Sequence, residues 1–353
     1  MTRIGSIELT DPVALAPMAG MTDTAFRRLV KRKGGCGLVV TEMVSSEGLV
    51  RGIDRTLEYA EYTEEERPVS IQIFGGDPAV MADAAQVVEG MGADVIDINM
   101  GCPVPKIAKH NAGCSLMREP AHAASVVRAM TAAVRIPVTV KMRAGWNERE
   151  INAPTLARMV EDAGAAAVAV HGRTAAQSYT GESDWSLIAR VAESVRIPVF
   201  GSGDCVEADQ IVQRLANHGV GGVLVGRGAL RNPWIFSQAA AAGRGDAAGQ
   251  ASREDRGQFL LDYIDLLLSE RVDEAEGFRH EAPSSAPMYA IRPAAPARGR
   301  ERWVINKLRA LCSWYTKGFE GGSQLRLSIN SAESVDQLRE IISNFFVAPT
   351  IPI

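Results

Sequence analysis

Short apolar runs alternate with amphipathic stretches from the N-terminus to about residue 240. The runs predict strands at Val13–Ala16, Leu38–Thr41, Val69–Ile73, Val95–Asn99, Val138–Lys141, Val168–His171, Val199–Ser202 and Val223–Gly226. Helical spacing of apolar positions lies between them, at Thr24–Lys33, Pro78–Met91, Ala121–Val134, Thr155–Ala163, Trp185–Val195 and Ala208–His218. The stretch after Thr41 fits neither period and predicts an irregular connection. Eight strands with mostly helical connections in about 230 residues fit an α/β fold, a parallel (β/α)8 TIM barrel, better than an open sheet.

Internal similarity supports repeated strand-helix units. Val134-Arg135-Ile136-Pro137-Val138 recurs as Val195-Arg196-Ile197-Pro198-Val199, and Gly164-Ala165-Ala166-Ala167-Val168 is echoed by Gly219-Val220-Gly221-Gly222-Val223. Gly92-Ala93-Asp94-Val95-Ile96 is a looser third copy. Each glycine stands where a helix ends and a buried strand begins.

Past residue 242 the pattern changes. Residues 1–242 are expected to form the barrel and 243–255, rich in Gly and Ala, a linker. Residues 256–353 are expected to form a small helical domain, with helices at Arg256–Arg271, Trp303–Tyr315 and Val335–Phe346. Within it, 282–297 carries Pro283, Pro287, Pro293 and Pro296 and predicts an exposed non-helical excursion.

Composition narrows the class. Hydrophobic content of 46% with 23% charged suits a globular protein with a sizeable core. No apolar run reaches the roughly 18–20 residues of a membrane helix, and no signal core follows Met1. Five cysteines without CxxC spacing disfavour a disulfide framework or a zinc site and point to the reducing cytoplasm. The net charge of −4 argues weakly against a nucleic-acid partner, yet Arg292–Arg326 holds eight cations against two anions. That local excess is either a phosphate-binding face or an ordinary solvated one.

Function in a barrel gathers at the C-terminal strand ends. The fourth strand runs into Asn99-Met100-Gly101-Cys102-Pro103. Gly101 permits a tight turn and Pro103 fixes φ beyond the thiol, so Cys102 is either an aimed reactive group or a small buried hydrophobe. The first strand ends in Pro17-Met18-Ala19-Gly20, small enough for a flat ring to lie against backbone. The third ends near Gln72, an amide able to pair with a heterocycle edge. From the fifth come Lys141 and Arg143, expected to divide between the interior and the rim. The sixth supplies His171-Gly172-Arg173. Gly201-Ser202-Gly203-Asp204 and Gly226-Arg227-Gly228 end the seventh and eighth, the usual barrel phosphate site.

Taken together and in order, these motifs resemble the tRNA-dihydrouridine synthases, most closely the bacterial B-type branch (DusB). The matching stretches are Ala16–Gly20 with Thr22-Asp23 and Phe26-Arg27, Gln72, Asp97–Pro103, Lys141-Met142-Arg143, His171–Arg173, Gly203-Asp204 and Gly226-Arg227. Ser202 stands where the family commonly has Asn. The resemblance implies an FMN enzyme that reduces the C5=C6 bond of a uridine in the tRNA D-loop with electrons from NADPH (or NADH). Hydride would reach C6 from the flavin, and Cys102 would give the proton at C5. An ordinary thiol is largely protonated near neutral pH, as a general acid requires. By the same resemblance Pro17, Met18, Ala19, Gln72 and Lys141 hold the flavin ring. Ser202, Gly203, Asp204, Gly226 and Arg227 hold ribityl and phosphate, and Asn99 holds the uracil. His171, Arg143 and Arg173 line the site near ring, base or RNA phosphate. Arg300, Arg302 and Arg309 grip the tRNA backbone from the helical domain. A cytoplasmic monomer without metal or membrane contact is expected.

Overall fold

The computed structural model describes residues 2–108, 111–269 and 297–346. Eight parallel strands form its centre: β1 (Val13–Leu15), β2 (Leu38–Val40), β3 (Val69–Phe74), β4 (Val95–Met100), β5 (Val138–Arg143), β6 (Ala167–His171), β7 (Val199–Ser202) and β8 (Gly222–Val225). Each pairs with the next, and β8 returns to β1 through Val223 opposite Val13 and Val225 opposite Leu15. The sheet is thus a closed barrel. The irregular connection after Thr41 holds a short strand, Val44–Ser45, paired with Ile73 and Phe74, and two short helices.

Strand alternation sorts the side chains into two cores. Inward positions such as Ala14, Leu38, Val95, Ala169, Phe200 and Leu224 fill the lumen. Outward positions such as Leu15, Val39, Ile96, Ile98 and Val140 pack beneath the helices. Ile4, in an N-terminal hairpin of Arg3–Ile4 and Ile7–Glu8, and Leu9 just after it close the lumen from below. On β3, β4 and β5 the inward phase becomes polar towards the C-terminal end, through Gln72, Asp97, Asn99, Thr139 and Lys141. The lumen is therefore apolar at its base and polar at its mouth.

The repeated sequences have repeated structural roles. Glu89 accepts from the amides of Arg135 and Ile136, and Glu161 accepts from those of Arg196 and Ile197. Each carboxylate pins the entry of the next strand. Gly92, Gly164 and Gly219 all adopt positive φ (81°, 99° and 63°), which L side chains rarely tolerate.

The first of the C-terminal helices packs on the first barrel helix, α1 (Thr24–Lys33). These C-terminal helices are α2 (Arg253–Ser269), α3 (Ala297–Tyr315), α4 (Gly322–Ser331) and α5 (Val335–Phe346). Phe259 of α2 meets Phe26 edge-on at 6.1 Å and stacks on Tyr315 at 5.6 Å. One apolar core runs from the barrel into this bundle. Two helix starts differ from the sequence expectation. The bundle opens at Arg253 rather than Arg256, because Ser252 and Asp255 exchange side-chain and backbone hydrogen bonds that cap the helix. Helix Ile235–Gly243 extends past residue 242, so the connection is shorter than 243–255. α3 starts at Ala297, six residues before Trp303, and α4 is a helix the apolar pattern did not indicate. The proline-rich excursion at 282–297 lies outside the described residues except for Ala297.

Candidate active site

The strand ends enclose a cavity of about 610 Å³ at the barrel mouth. Its lining brings together Pro17, Met18, Ala19, Gln72, Asn99, Cys102, Lys141, Arg143, His171, Ser202, Gly203, Asp204, Gly226 and Arg227, all drawn from the sequence motifs. Such a volume suits a cofactor-sized ligand. Arg173 stands behind the wall.

Cys102 lies half-buried on the loop after β4. Its amide and that of Gly101 donate to Asn99 Oδ1 at 2.9 and 3.1 Å. Its carbonyl accepts from Cys114 N at 3.1 Å. Arg143 Nε donates to Gly101 O at 2.8 Å, and Arg143 Nη1 donates to the carbonyls of Thr174 and Ser178, each at 2.9 Å. Arg143 thus clamps the thiol loop to the loop after β6. Lys141 and Arg143 are two residues apart on a strand and so share a face. Both line the cavity, with Arg143 nearer the C-terminal end of β5.

Positive charge dominates the site. Burial pushes the Lys141 ammonium down to about 8, with Arg143 acting the same way and Asp97 opposing. Burial, then the cations Lys141, Arg143, Arg173 and Arg227, push His171 down to about 2, so its ring is neutral. Arg173 is buried, donates to the carbonyls of Thr180 and Gly181, and pairs with Asp204 at 2.9 Å. Burial works against the Asp204 charge, but Arg173, the Ser183 amide and Arg227 outweigh it and hold the carboxyl below its ordinary value. One carboxylate therefore answers several cations at the end where the glycine loops lie.

Those loops leave backbone open. Gly203 takes a positive φ of 123°, and a Cβ there would press on Ser183 Oγ. A Cβ on Gly226 would stand 3.5 Å from Met18 Sδ and 3.8 Å from Ala16 Cβ, both lining the cavity.

Several lining residues had no motif to announce them. Met43, Val104, Ser178, Tyr179 and Trp314 all reach the cavity. Tyr179 is 61% exposed, with the guanidinium of Arg227 over its ring at 4.9 Å and that of Arg143 at 5.8 Å. Trp314 comes from α3, beneath Lys317 at 3.9 Å, while its neighbour Tyr315 is fully buried. An aromatic beside surplus arginines was the one available signal.

The cationic residues proposed for the helical domain do not form one open patch. Arg300 donates to Leu267 O at 2.6 Å and Arg309 to Ala332 O at 3.0 Å, each tying two helices together. Arg302 is exposed.

Residues 14–287 match the family model described as dihydrouridine synthase (Dus). The chain belongs to the dihydrouridine synthase family. It is 44% identical over 349 residues to a probable tRNA-dihydrouridine synthase of Rickettsia conorii, covering 99% of this chain and 97% of that one. It is 43% identical over 238 residues to tRNA-dihydrouridine synthase B of Pseudomonas aeruginosa, covering 67% and 71% respectively. Among solved structures, histamine dehydrogenase from Rhizobium sp. 4-9 matches 74% of this chain and 50% of its own at TM-score 0.53. Morphinone reductase matches 70% and 90% at TM-score 0.50. Both are 13% identical and speak to the fold alone. As a dihydrouridine synthase, the chain is an oxidoreductase.

Proposed function

We propose that this protein reduces the C5=C6 bond of specific uridines in the tRNA D-loop to 5,6-dihydrouridine, using FMN and NADPH, with Cys102 as the proton donor. The observation that carries this reading is the half-buried Cys102 thiol held over a cofactor-sized, cation-rich cavity at the mouth of a family-matched barrel.

The residues present fit FMN. Lys141, Arg143 and Arg227 line the cavity against one carboxylate, Asp204, a balance that suits a phosphate and an electron-rich ring. Ser202, Gly203, Gly226 and Arg227 would hold the ribityl phosphate, with Asp204 orienting Arg227 across 3.7 Å. Pro17, Met18 and Ala19 would flank the ring, and Gln72, Lys141 and His171 would meet its polar edge. When bound, FMN supplies the electrons that NADPH provides.

Cys102 gives its proton to C5 of the pyrimidine and recovers one from solvent, so the thiol is unchanged over a cycle. Asn99 and Arg143 hold the loop that aims it. The base must leave its stack to reach the thiol, which suits a loop nucleotide. Tyr179 and Trp314 give the mouth two aromatic surfaces on which flanking bases could stack. Arg302 and the neighbouring helical surface would grip the RNA backbone.

Position-resolved mass spectrometry of tRNA nucleosides tests this. In a strain lacking the gene, dihydrouridine should vanish at a D-loop position and return on complementation. An unchanged map, together with failure of the purified protein and NADPH on unmodified tRNA, would refute it.

A further inference from the structure

A chain of four polar side chains runs from the barrel interior to the Cys102 loop. Thr139 Oγ1 donates to Asp97 Oδ1 at 2.6 Å, and Gln72 Nε2 donates to Asp97 Oδ2 at 2.6 Å. Asn99 Nδ2 donates to Gln72 Oε1 at 2.7 Å. Asn99 Oδ1 then accepts from the amides of Gly101 and Cys102. All four side chains are at least nine-tenths buried.

Chemistry fixes the direction of every link. Backbone N–H groups only donate, so the Asn99 oxygen must face Gly101 and Cys102. Its NH2 must then face Gln72, whose oxygen accepts and whose NH2 is left pointing at Asp97. At the other end a carboxylate oxygen is the acceptor that an NH2 requires. Both ends demand the same polarity, so neither amide can turn over without setting donor against donor. Register supports the same path, since Gln72 lies opposite Asp97 and Asp97 opposite Thr139.

We infer that Asp97, which touches neither the cavity mouth nor the thiol, is a positioning residue for Cys102. Its carboxylate orients Gln72, Gln72 orients Asn99, and Asn99 holds the two amides that set the direction of the Cys102 side chain. Gln72 and Asn99 thereby acquire a role separate from contact with flavin or uracil. The consequence for catalysis rests on Cys102 being the proton donor; the consequence for the thiol itself does not.

The test compares Asp97→Leu, which removes the acceptor at similar size, with Asp97→Asn, which can keep an oxygen towards Gln72 and offer its NH2 to Thr139. In the purified full-length protein, Cys102 alkylation by iodoacetamide is followed by peptide mass spectrometry from pH 6 to 9. With the loop loosened, Asp97→Leu should alkylate about threefold to tenfold faster, the range that loss of one ordinary hydrogen bond permits. Asp97→Asn should stay within about twofold of wild type. If Asp97→Leu does not fold, Gln72→Met cuts the chain one link higher and should give the same acceleration. Wild-type alkylation in whichever broken-chain variant folds would overturn the inference. Accelerated alkylation in a protein that never reduces tRNA would uphold the positioning role and defeat the synthase reading instead.

Discussion

Lys307 Nζ, on α3, lies 2.9 Å from Asp23 Oδ2, on the loop that ends β1. The same ammonium donates to Gly20 O at 3.1 Å and sits 3.6 Å from Glu42 Oε1. Glu42 Oε2 accepts from Gly20 N, and Tyr263 of α2 donates to Asp23. Asp23 also caps α1 through Phe26 N. Burial opposes the Lys307 charge, but Asp23 and Glu42 outweigh it and hold the ammonium above its ordinary value. The helical bundle therefore grips Pro17–Asp23 from outside, next to the residues proposed to flank the flavin ring. Removing the cation leaves two carboxylates facing each other with little water. Lys307→Met should weaken FMN binding by about fivefold or more, as expected for an uncompensated buried charge. Lys307→Arg should recover part of the loss. Fluorescence titration of flavin-free protein checks this, and an unchanged dissociation constant would show that the bundle leaves the cofactor loop alone.

Acid stability should report on His171. In flavin-free protein the folded state keeps this ring neutral, because burial and the surrounding cations push it down to about 2. An unfolded histidine takes up a proton below about 6.5. Its folded pKa is depressed, so the contribution to stability is intact above about 6.5 and is lost as pH falls from there towards 2. His171→Gln removes that contribution. Its melting temperature should drop less than that of wild type between pH 7 and 5. Parallel curves would mean that His171 titrates alike in the folded and unfolded protein and is not held neutral by the fold.

The arginines of the helical domain should separate by effect. Arg302→Ala should lower tRNA affinity and reduce the salt slope by about 1, with an unchanged melting temperature. Arg300→Ala and Arg309→Ala each remove a tie between helices and should cost about 1 kcal/mol of stability as well. Binding isotherms at several salt concentrations and thermal melts distinguish them. A melting loss for Arg302→Ala without a change in tRNA affinity would assign it to packing.

The barrel was legible because each strand carries apolar side chains on its helix-facing side, and the predicted strands lie within a few residues of the observed ones. Helix Thr24–Lys33 matches end to end, since Asp23 caps its start and glycines follow its end. The motif residues at the strand ends were legible as a set because parallel strands deliver all their C-terminal ends to one mouth. What they do there was less so. Arg143, Arg173 and Arg309 were expected to meet substrate, and each also bonds a backbone carbonyl, a use that leaves no trace in spacing. Tyr179 and Trp314 reach the cavity from a loop and from a distant helix, so no local pattern joins them. The Lys307 clasp spans 284 residues to Asp23 and was visible only as one cation in a basic run.

The role of Cys102 as proton donor is tested by dihydrouridine formation on unmodified tRNA by purified wild-type protein and Cys102→Ala, with NADPH and bound flavin measured in both. Wild type should form product at a D-loop position. Cys102→Ala should keep its flavin and its NADPH oxidation while product formation falls by about a hundredfold or more, the usual contribution of a positioned general acid. Wild-type product formation by Cys102→Ala would contradict that role.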